Sequence, residues 1–591
     1  MILALGLILL LAPFILTFNF KDKKSGFLWV FVCVIIGQTL IGLTTQYFHV
    51  FSYLSTVIIN VCVDLLVVSI SVFLPKYSIK LSGIKPNWFV IFACLIVFLE
   101  LYSVHFAYTG TVAHIDGNSN VLLQSFPYPS FSDEWSAIAI ANYSIKTHAL
   151  PTVNPLDGSI MMHPLIAFFS LISELFLLLG QTPLLAYQAF AFVGSLIIVV
   201  LIFVVAGDGK KFSKISGAVA ALVAPLITTS GNLPGLWSLI PVTLGIMFFL
   251  VAFIAVKIKD LKLFLTSSFG ALIIYPPMII FLIPLGFAAG LISGHYSRKK
   301  IFQVGFASII LVALPATVII LVMSRSSGFL PTIELVRSYI FRNSLDGGVS
   351  SYVIWDIIPW YFLGLAAIGL WHSIVSRCWS IIVPLGVGFV FWSIYAFTTH
   401  LLIIDYPRVV YVTSIMLVIL SGQGFDKLME WLVKVALKPT WIKPIMVIFI
   451  FAMTISMLSY PSDAWSRLTF TMTQNGHQTF YMPDPPVTEY LTSQDLMLFA
   501  NIKSAVFIAP PWKGLTIAAA TGNFPLESKM STISTLVYPY QQFMSLDCEQ
   551  KSAVIKKYDV SYVYSYNQVI KCSNLSLVGI STENMYLYKI I

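Results

Sequence analysis

Hydrophobic positions along this chain fall neither at the helical spacing of an amphipathic surface helix nor in strict alternation, but in long unbroken runs. Such runs, near the ~20 residues needed to cross a bilayer, recur from residue 2 to residue 459. They predict spans at about 2–20, 26–45, 51–74, 88–108, 183–206, 215–230, 236–256, 262–275, 278–294, 301–322, 353–372, 380–398, 409–422 and 444–459. The first run has no basic residue ahead of it and no small-residue cleavage site after it, so it is expected to stay as a helix. After residue 460 the pattern changes to short β-rich runs separated by turns. "SAVFIAP" (504–510) and "GLTIAAAT" (514–521) predict strands, "EQKSAVIKKY" (549–558) a helix, and "VSYVYSY" (560–566) and "MYLYKII" (585–591) two more strands.

Composition agrees. Of 591 residues, 58% are hydrophobic and 10% charged, which excludes an ordinary soluble globular protein. The net charge of +9 could point to nucleic acid, yet the basic residues follow the span map. Lys21, Lys23 and Lys24, then Lys76, Lys80 and Lys85, then Lys210, Lys211 and Lys214, Lys257, Lys259 and Lys262, and Arg298, Lys299 and Lys300 follow alternate spans. With Arg377, Lys427, Lys434, Lys438 and Lys443, this places 20 of the 25 Lys and Arg before residue 460 on one face, the positive-inside bias of an inserted chain. The partner implied is a lipid bilayer, not a nucleic acid.

The same bias decides residues 162–180. Counting them as a span would put the basic loop at 207–214 outside, so they are expected to form an interfacial or re-entrant helix on the outer side, buried against protein. The expected organisation is then residues 1–87 as N-terminal transmembrane helices, 88–459 as a transmembrane core with a large outer loop at 109–182, and 460–591 as a small extracytoplasmic α/β domain. An oxidising compartment would permit a bridge between Cys548 and Cys572 in that domain.

Polar chemistry collects on the outer side. The stretch "SFSDEWSAIAIANY" (130–143) opens an amphipathic helix with Asp133 and Glu134 side by side. Two roles suit such a pair. One carboxylate could take the proton of an acceptor hydroxyl as its oxygen attacks a sugar carbon, or the pair could hold a divalent cation that neutralises a leaving phosphate. The structural alternative is that Ser132 caps the helix and the acids complement its dipole. Trp135, Ile138, Ala141 and Ile145 share one face, which suits a helix lying on the membrane surface. Other candidates are Arg408 in "DYPRVVY" and Arg337 and Arg342 in the loop 323–352. Asp64 and Glu100 lie inside spans, where an acid is a functional candidate by default. Two sequons, Asn142-Tyr-Ser144 and Asn574-Leu-Ser576, fall on the outer side.

The order of these features resembles the GT-C superfamily of membrane glycosyltransferases: a span, a long outer loop centred on "FSDEW", a helix ending in "NYSIKTHALPTVNPLDG", then "MHPL", an outer juxtamembrane helix, "GQTPLLAYQAF" and alternating spans. The motifs look most like protein O-mannosyltransferases and related lipid-donor enzymes, over roughly residues 88–422. "WKGLTIAAATGN", "KKYDVSYVY" and "YLYKII" resemble the external α/β domain that ends many such proteins. With the 14 spans predicted from the apolar runs, the resemblance implies a GT-C-like α-helical polytopic fold of about 14 transmembrane helices. It also implies inverting transfer of a hexosyl or pentosyl group from a polyprenyl-phosphate donor to a glycan, lipid or protein hydroxyl on the extracytoplasmic face. Asp133 or Glu134 would be the base; Arg408 first, then Arg337, Arg342, His163 and Trp135, would contact substrate. The chain departs from the pattern in three places. HPPL is reduced to His163-Pro164-Leu165, "TTSGNLPGLW" (228–237) carries no second acid, and a WWDYG-type signature is absent. No cofactor is demanded. The rival classes are a transporter or lipid flippase working through Asp64 and Glu100, and a non-catalytic relative that binds a carrier lipid.

Overall fold

The computed structural model describes residues 2–16, 23–73, 88–106, 109–115, 121–127, 129, 132–156, 165–207, 213–227, 236, 238–292, 317, 320–321, 324, 328–340, 358–398, 403–435, 444, 448, 452, 491–528, 538–581 and 584–591. Four helices come first: α1 (Ile2–Leu16), α2 (Lys23–Tyr47), α3 (Tyr53–Phe73) and α4 (Trp88–His105). An antiparallel hairpin of β1 (Thr109–Ile115) and β2 (Val121–Pro127) leads to α5 (Ser132–Thr147), α6 (Ile166–Leu179) and α7 (Pro183–Ala206). Then follow α8 (Ser213–Val223), α9 (Pro241–Lys257), α10 (Leu261–Ile274), α11 (Ile279–Ile292), α12 (Phe329–Ile340), α13 (Trp360–Val375), α14 (Trp379–Thr398) and α15 (Tyr406–Val435).

Local chemistry sets several of these boundaries. Pro183 and Pro241 stand in the first turns of α7 and α9, where a missing N–H costs nothing. The Asp260 carboxylate accepts from Leu263 N and caps α10. Gly180, at φ 61°, stops α6 in a left-handed cap, with its N–H on Leu177 O and that of Gln181 on Phe176 O.

Among the described residues four helices are long and apolar enough to cross a membrane, within Gly26–Tyr47, Pro183–Ala206, Trp379–Thr398 and Tyr406–Lys434. The expectation of about 14 spans is thus not reproduced as 14 full-length helices. A helix of 14 residues such as α10 is only ~21 Å long, short of a ~30 Å hydrocarbon core. The expected spans at 301–322 and 444–459 lie almost wholly outside the described residues. The last described span is longer than expected: α15 continues for 30 residues into the basic segment, where Lys427 pairs with Glu430 at 2.9 Å.

Helix α15 is the buried axis of the bundle and packs closely on α13. A Cβ at Gly424 would lie 1.8 Å from Leu365 O, and one at Gly369 would lie 2.1 Å from Leu420 O, so only glycine lets these backbones meet. The same device seats α6. Gly6 on α1 faces Leu178 O and Gly42 on α2 faces Ser170 O, at 2.5 and 2.6 Å from a built Cβ. Nearly every residue of α6 is buried, as the sequence led us to expect of this segment.

The C-terminal unit holds α16 (Ser493–Phe499), β3 (Val506–Ile508), α17 (Pro511–Thr521), β4 (Phe524–Pro525), α18 (Tyr540–Ser545), α19 (Cys548–Tyr558), β5 (Tyr562–Tyr566), β6 (Leu575–Ile580) and β7 (Met585–Ile590). The five strands run in the order β4-β3-β5-β7-β6, parallel across β4, β3 and β5 and antiparallel beyond. Residues 514–521, expected as a strand, belong to helix α17. Pro511 at its first turn and Gly522 at φ 74° just past its end frame a helix, and the alanine-rich interior favours one. Strand β6 was not foreseen. Cys548 and Cys572 are joined in a disulfide.

This unit docks on the bundle through α5. The Asn142 amide donates to Ala519 O on α17 at 2.8 Å, so that sequon is packed into an interface. Helix α5 therefore does not lie on a membrane surface with one face free. Ser132, Glu134 through Ala141, and Ser144 are all buried, and α5 packs against α6, α7 and α17. Inside the unit a fully buried Lys513–Asp495 pair at 2.6 Å, with Tyr564 donating to Asp495 at 2.5 Å, ties α17, α16 and β5 together. Breaking such a pair from one side leaves an uncompensated charge.

Two glycines of α2 make an internal control. Gly42→Ala must push α6 away from α2 and should cost about 1–3 kcal/mol, seen as a lower Tm of the detergent-solubilised protein. Gly37→Ala, where a Cβ meets nothing within 4 Å, should leave Tm unchanged. Equal losses at both positions would contradict the packing described for α6.

Candidate active site

Asp133 and Glu134 are the first two acids of α5, and successive residues on a helix point about 100° apart. They consequently face different parts of the molecule. Asp133 Oδ2 accepts from the Arg408 guanidinium at 2.8 Å, across 275 residues of sequence. Arg408 sits in the first turn of α15, where the turn Ile403–Asp405 delivers the chain into the buried axis. The two side chains keep 17% and 22% of their surface, Arg408 and Asp133 respectively, so the pair is partly sealed yet reachable.

Glu134, by contrast, is 1% exposed, and its Oε1 accepts from the backbone N–H of Leu239 at 2.8 Å. Leu239 lies in the segment that feeds Pro241 and α9. On the other side of Leu239, its carbonyl accepts from Tyr187 Oη of α7 at 2.5 Å. One step further along α7, Ser195 donates to Leu236 O, and His105 at the end of α4 bridges Gln188 and Ser195 at 3.0 and 2.9 Å. A chain of buried hydrogen bonds thus joins α4, α7, the 236–240 segment and α5.

Burial, the largest influence, pushes the Asp133 carboxyl above the usual carboxylate range, and the charge of nearby Asp405 adds to the rise. The charge and hydrogen bond of Arg408 pull the other way. The result is a carboxylate of raised proton affinity held in place by a cation.

The other sequence candidates are distributed as follows. Trp135 is fully buried, and its indole N–H is donated to Pro129 O at 2.8 Å, which pins the chain entering α5. Arg337 is exposed on α12, and no contact among the described residues brings it to the Asp133–Arg408 pair. His163 and Arg342 lie outside the described residues. Asp405, Tyr187 and the Leu239 N–H were not singled out as site groups. Tyr187 lay within the quoted "GQTPLLAYQAF", but a backbone N–H has no signature in a sequence. Two residues before Arg408, Tyr406 stacks on Tyr395 of α14 with ring centroids 3.9 Å apart.

No family model matches the chain, and no curated protein matches it. Among solved structures it is similar to the Archaeoglobus fulgidus oligosaccharyltransferase in its apo form, with 12% identity over 82% of this chain and 70% of that one, and a TM-score of 0.47. The same enzyme in complex with Zn and sulfate gives 14% identity, 80% and 68% coverage, and a TM-score of 0.46. ArnT from Cupriavidus metallidurans bound to undecaprenyl phosphate gives 12% identity, 85% and 97% coverage, and a TM-score of 0.45. Both proteins are of the GT-C class that the motifs resemble. At these identities and TM-scores the likenesses carry none of the functional argument, which rests on the residues themselves.

The two acids should separate experimentally. Glu134→Gln keeps an acceptor for the Leu239 N–H and should retain fold and activity. Glu134→Ala leaves that buried donor unmet and should lose about 1–3 kcal/mol of stability, read by thermal unfolding in detergent. Loss of activity in Glu134→Gln with an unchanged Tm would make Glu134 a direct participant instead.

Proposed function

We propose that this chain is a GT-C-type membrane glycosyltransferase that moves a sugar from a polyprenyl-phosphate donor to an acceptor hydroxyl on the extracytoplasmic face, with inversion. The observation that carries this reading is the Asp133–Arg408 pair, a carboxylate of raised proton affinity and a guanidinium joined at a partly open edge of the bundle. The motif order around "FSDEW" is its second support. The Cys548–Cys572 bridge and the distribution of Lys and Arg favour an outer location for the C-terminal unit and for α5.

Of the two roles open to the acids, proton acceptance suits Asp133, while Glu134 acts as a positioning residue through Leu239. The acceptor hydroxyl gives its proton to Asp133 as its oxygen forms a bond to the anomeric carbon. The bond from that carbon to the phosphate oxygen breaks, and the polyprenyl phosphate leaves with the electron pair. A single displacement of this kind inverts the anomeric centre. Arg408 meets the charge that develops on the phosphate, and its planar fork suits phosphate oxygens as well as it suits the carboxylate. Without donor, Arg408 rests on Asp133; an arriving phosphate competes for the same guanidinium and so raises the basicity of Asp133 when a base is needed. Arg337, His163 and Arg342 are the secondary candidates for the donor side. Trp135 serves by fixing α5.

Asp133→Asn should lower kcat about 10²–10⁴-fold with little change in KM for the donor, measured with a panel of polyprenyl-phosphate sugars in proteoliposomes. An unaltered rate sinks the assignment. Arg408→Gln should cost about 10²–10³-fold.

The pH profile adds an independent readout. Asp133 must be deprotonated to act, so activity falls as pH drops through its raised pKa. Removing the Arg408 charge takes away the influence that lowers this pKa, so the acidic limb of kcat/KM in Arg408→Gln should move to higher pH. A limb that stays put or moves down would contradict the pairing.

A further inference from the structure

The first three helices stand outside the part of the chain that carries the motifs, yet they hold a buried polar cluster against α6. Gln38 on α2, Asn60 on α3 and Glu174 on α6 are 6%, 2% and 0% exposed. Gln46 and Ser170 repeat the contact further along the same helices: Ser170 Oγ donates to Gln46 Oε1 at 3.1 Å, and Gln46 Nε2 donates to Ser170 O at 3.4 Å. The cluster touches neither Asp133 nor Arg408, and the mechanism above does not use it.

Its donors and acceptors can be assigned from one fixed point. The carbonyl of Thr56 can only accept, and the Asn60 amide group beside it, at 2.9 Å, must therefore be the N–H₂ end. That same Nδ2 lies 3.3 Å from Glu174 Oε1. Asn60 Oδ1 then faces Gln38, which must present its own N–H₂, at 2.6 Å. This leaves the Gln38 oxygen directed at the Glu174 carboxyl, 2.6 and 2.9 Å from its two oxygens. Turning the Gln38 amide over would aim an N–H at Glu174 but set the Gln38 oxygen against Asn60 Oδ1 at 2.6 Å. Turning Asn60 as well would set its oxygen against Thr56 O and Glu174. Every arrangement with a carboxylate at 174 contains an acceptor facing an acceptor. One arrangement has none: Glu174 carries a proton and donates it to Gln38.

We infer that Glu174 is a neutral carboxylic acid whose O–H closes a ring of hydrogen bonds with Gln38 and Asn60, fastening α2 and α3 to α6. The ring runs Glu174 to Gln38, Gln38 to Asn60, and Asn60 back to Glu174. Burial supports the same state, because among the described residues no cation pairs with Glu174, and an unpaired charge is far more costly to bury than a hydrogen-bonded acid. Helix α6 in turn backs α5, so the ring makes Glu174 a positioning residue for the outer site. The assignment of the proton is independent of the glycosyltransferase reading.

Glutamine is the isostere of this neutral acid, since its N–H₂ can donate to Gln38 and its oxygen can accept from Asn60. Glu174→Gln should keep the wild-type Tm in detergent, whereas Glu174→Leu should lower it. The infrared spectrum at neutral pH should show a protonated-carboxyl C=O band that is lost in Glu174→Gln and so stands as a positive band in the wild-type minus Glu174→Gln difference. If Glu174→Gln fails to express, 13C-glutamate labelling of the Glu100→Gln protein, which lacks the glutamate within α4, should shift the band and assign it to a glutamic acid. Absence of the band, or a Tm in Glu174→Gln as low as in Glu174→Leu, overturns the inference. Loss of sugar transfer in Asp133→Asn bears on neither result.

Discussion

The candidate site of this protein depends on the burial of one short helix that begins with two acids. A helix places consecutive side chains about 100° apart, so Asp133 and Glu134 cannot share a task. Their separation requires partners in two directions. One is the guanidinium of Arg408 at the start of the buried axis α15, and the other is the backbone N–H of Leu239 ahead of α9. Each partner fixes a different stretch of chain, and together they set the rotation of α5 about its own axis. The rest of α5 is covered by α6, α7 and by α17 of the C-terminal unit. A rigid seat of this kind is what a base needs, because proton transfer within a reaction tolerates little misplacement of the accepting oxygen.

Charge economy follows from the same seat. Glu134 is buried with its Oε1 on a backbone N–H, Lys513 with Asp495 and Tyr564, and Glu174, by the proton assignment above, as an acid. Each of these three buried groups is thus either answered or neutral, in the way low-dielectric interiors demand. Asp133 and Arg408 are the exception in degree: they answer one another but keep part of their surface. A pair that satisfies itself while remaining reachable can be opened by a competing anion at small cost. This distinguishes it from Lys513–Asp495, which is sealed completely and serves the fold.

Much of this was legible in the sequence, for identifiable reasons. "FSDEW" stood out because adjacent acids are rare in a chain this apolar, and Arg408 stood out because it opens a late hydrophobic run. Residues 162–180 were placed against protein by charge counting, and the buried α6 agrees. What could not be read has a common cause. The Leu239 N–H, the stacked Tyr395 and Tyr406 and the Gln38–Asn60–Glu174 ring each depend on groups from distant segments or on the backbone itself. Helix α17 was mistaken for a strand because "GLTIAAAT" is a short apolar run whose periodicity fits either element. The deciding signs were Pro511 before it and Gly522 after it. The free membrane-surface face expected for α5 failed for a related reason. An apolar stripe shows that something covers it, and only the packing of α6, α7 and α17 on α5 shows what.

The glycine contacts explain why the first three helices can hold α6 so firmly although they lie apart from the motif-bearing core. In lipid, exclusion of water gives little drive for one apolar helix to join another, so association depends on close packing and on interhelical hydrogen bonds. Gly6 and Gly42 let α1 and α2 approach the α6 backbone to contact distance. That approach brings Gln38 and Gln46 of α2 within hydrogen-bond reach of α6, which a larger residue at 42 would prevent. Close packing is therefore the condition for the polar ring, and the ring in turn fixes the register of α6 along α2 and α3. Since α5 rests on α6, the register chosen within the first three helices reaches the candidate site through two helix contacts. A substitution at Gly42 would accordingly be felt at Asp133 although, among the described residues, no hydrogen bond or ion pair joins Asp133 to the first three helices.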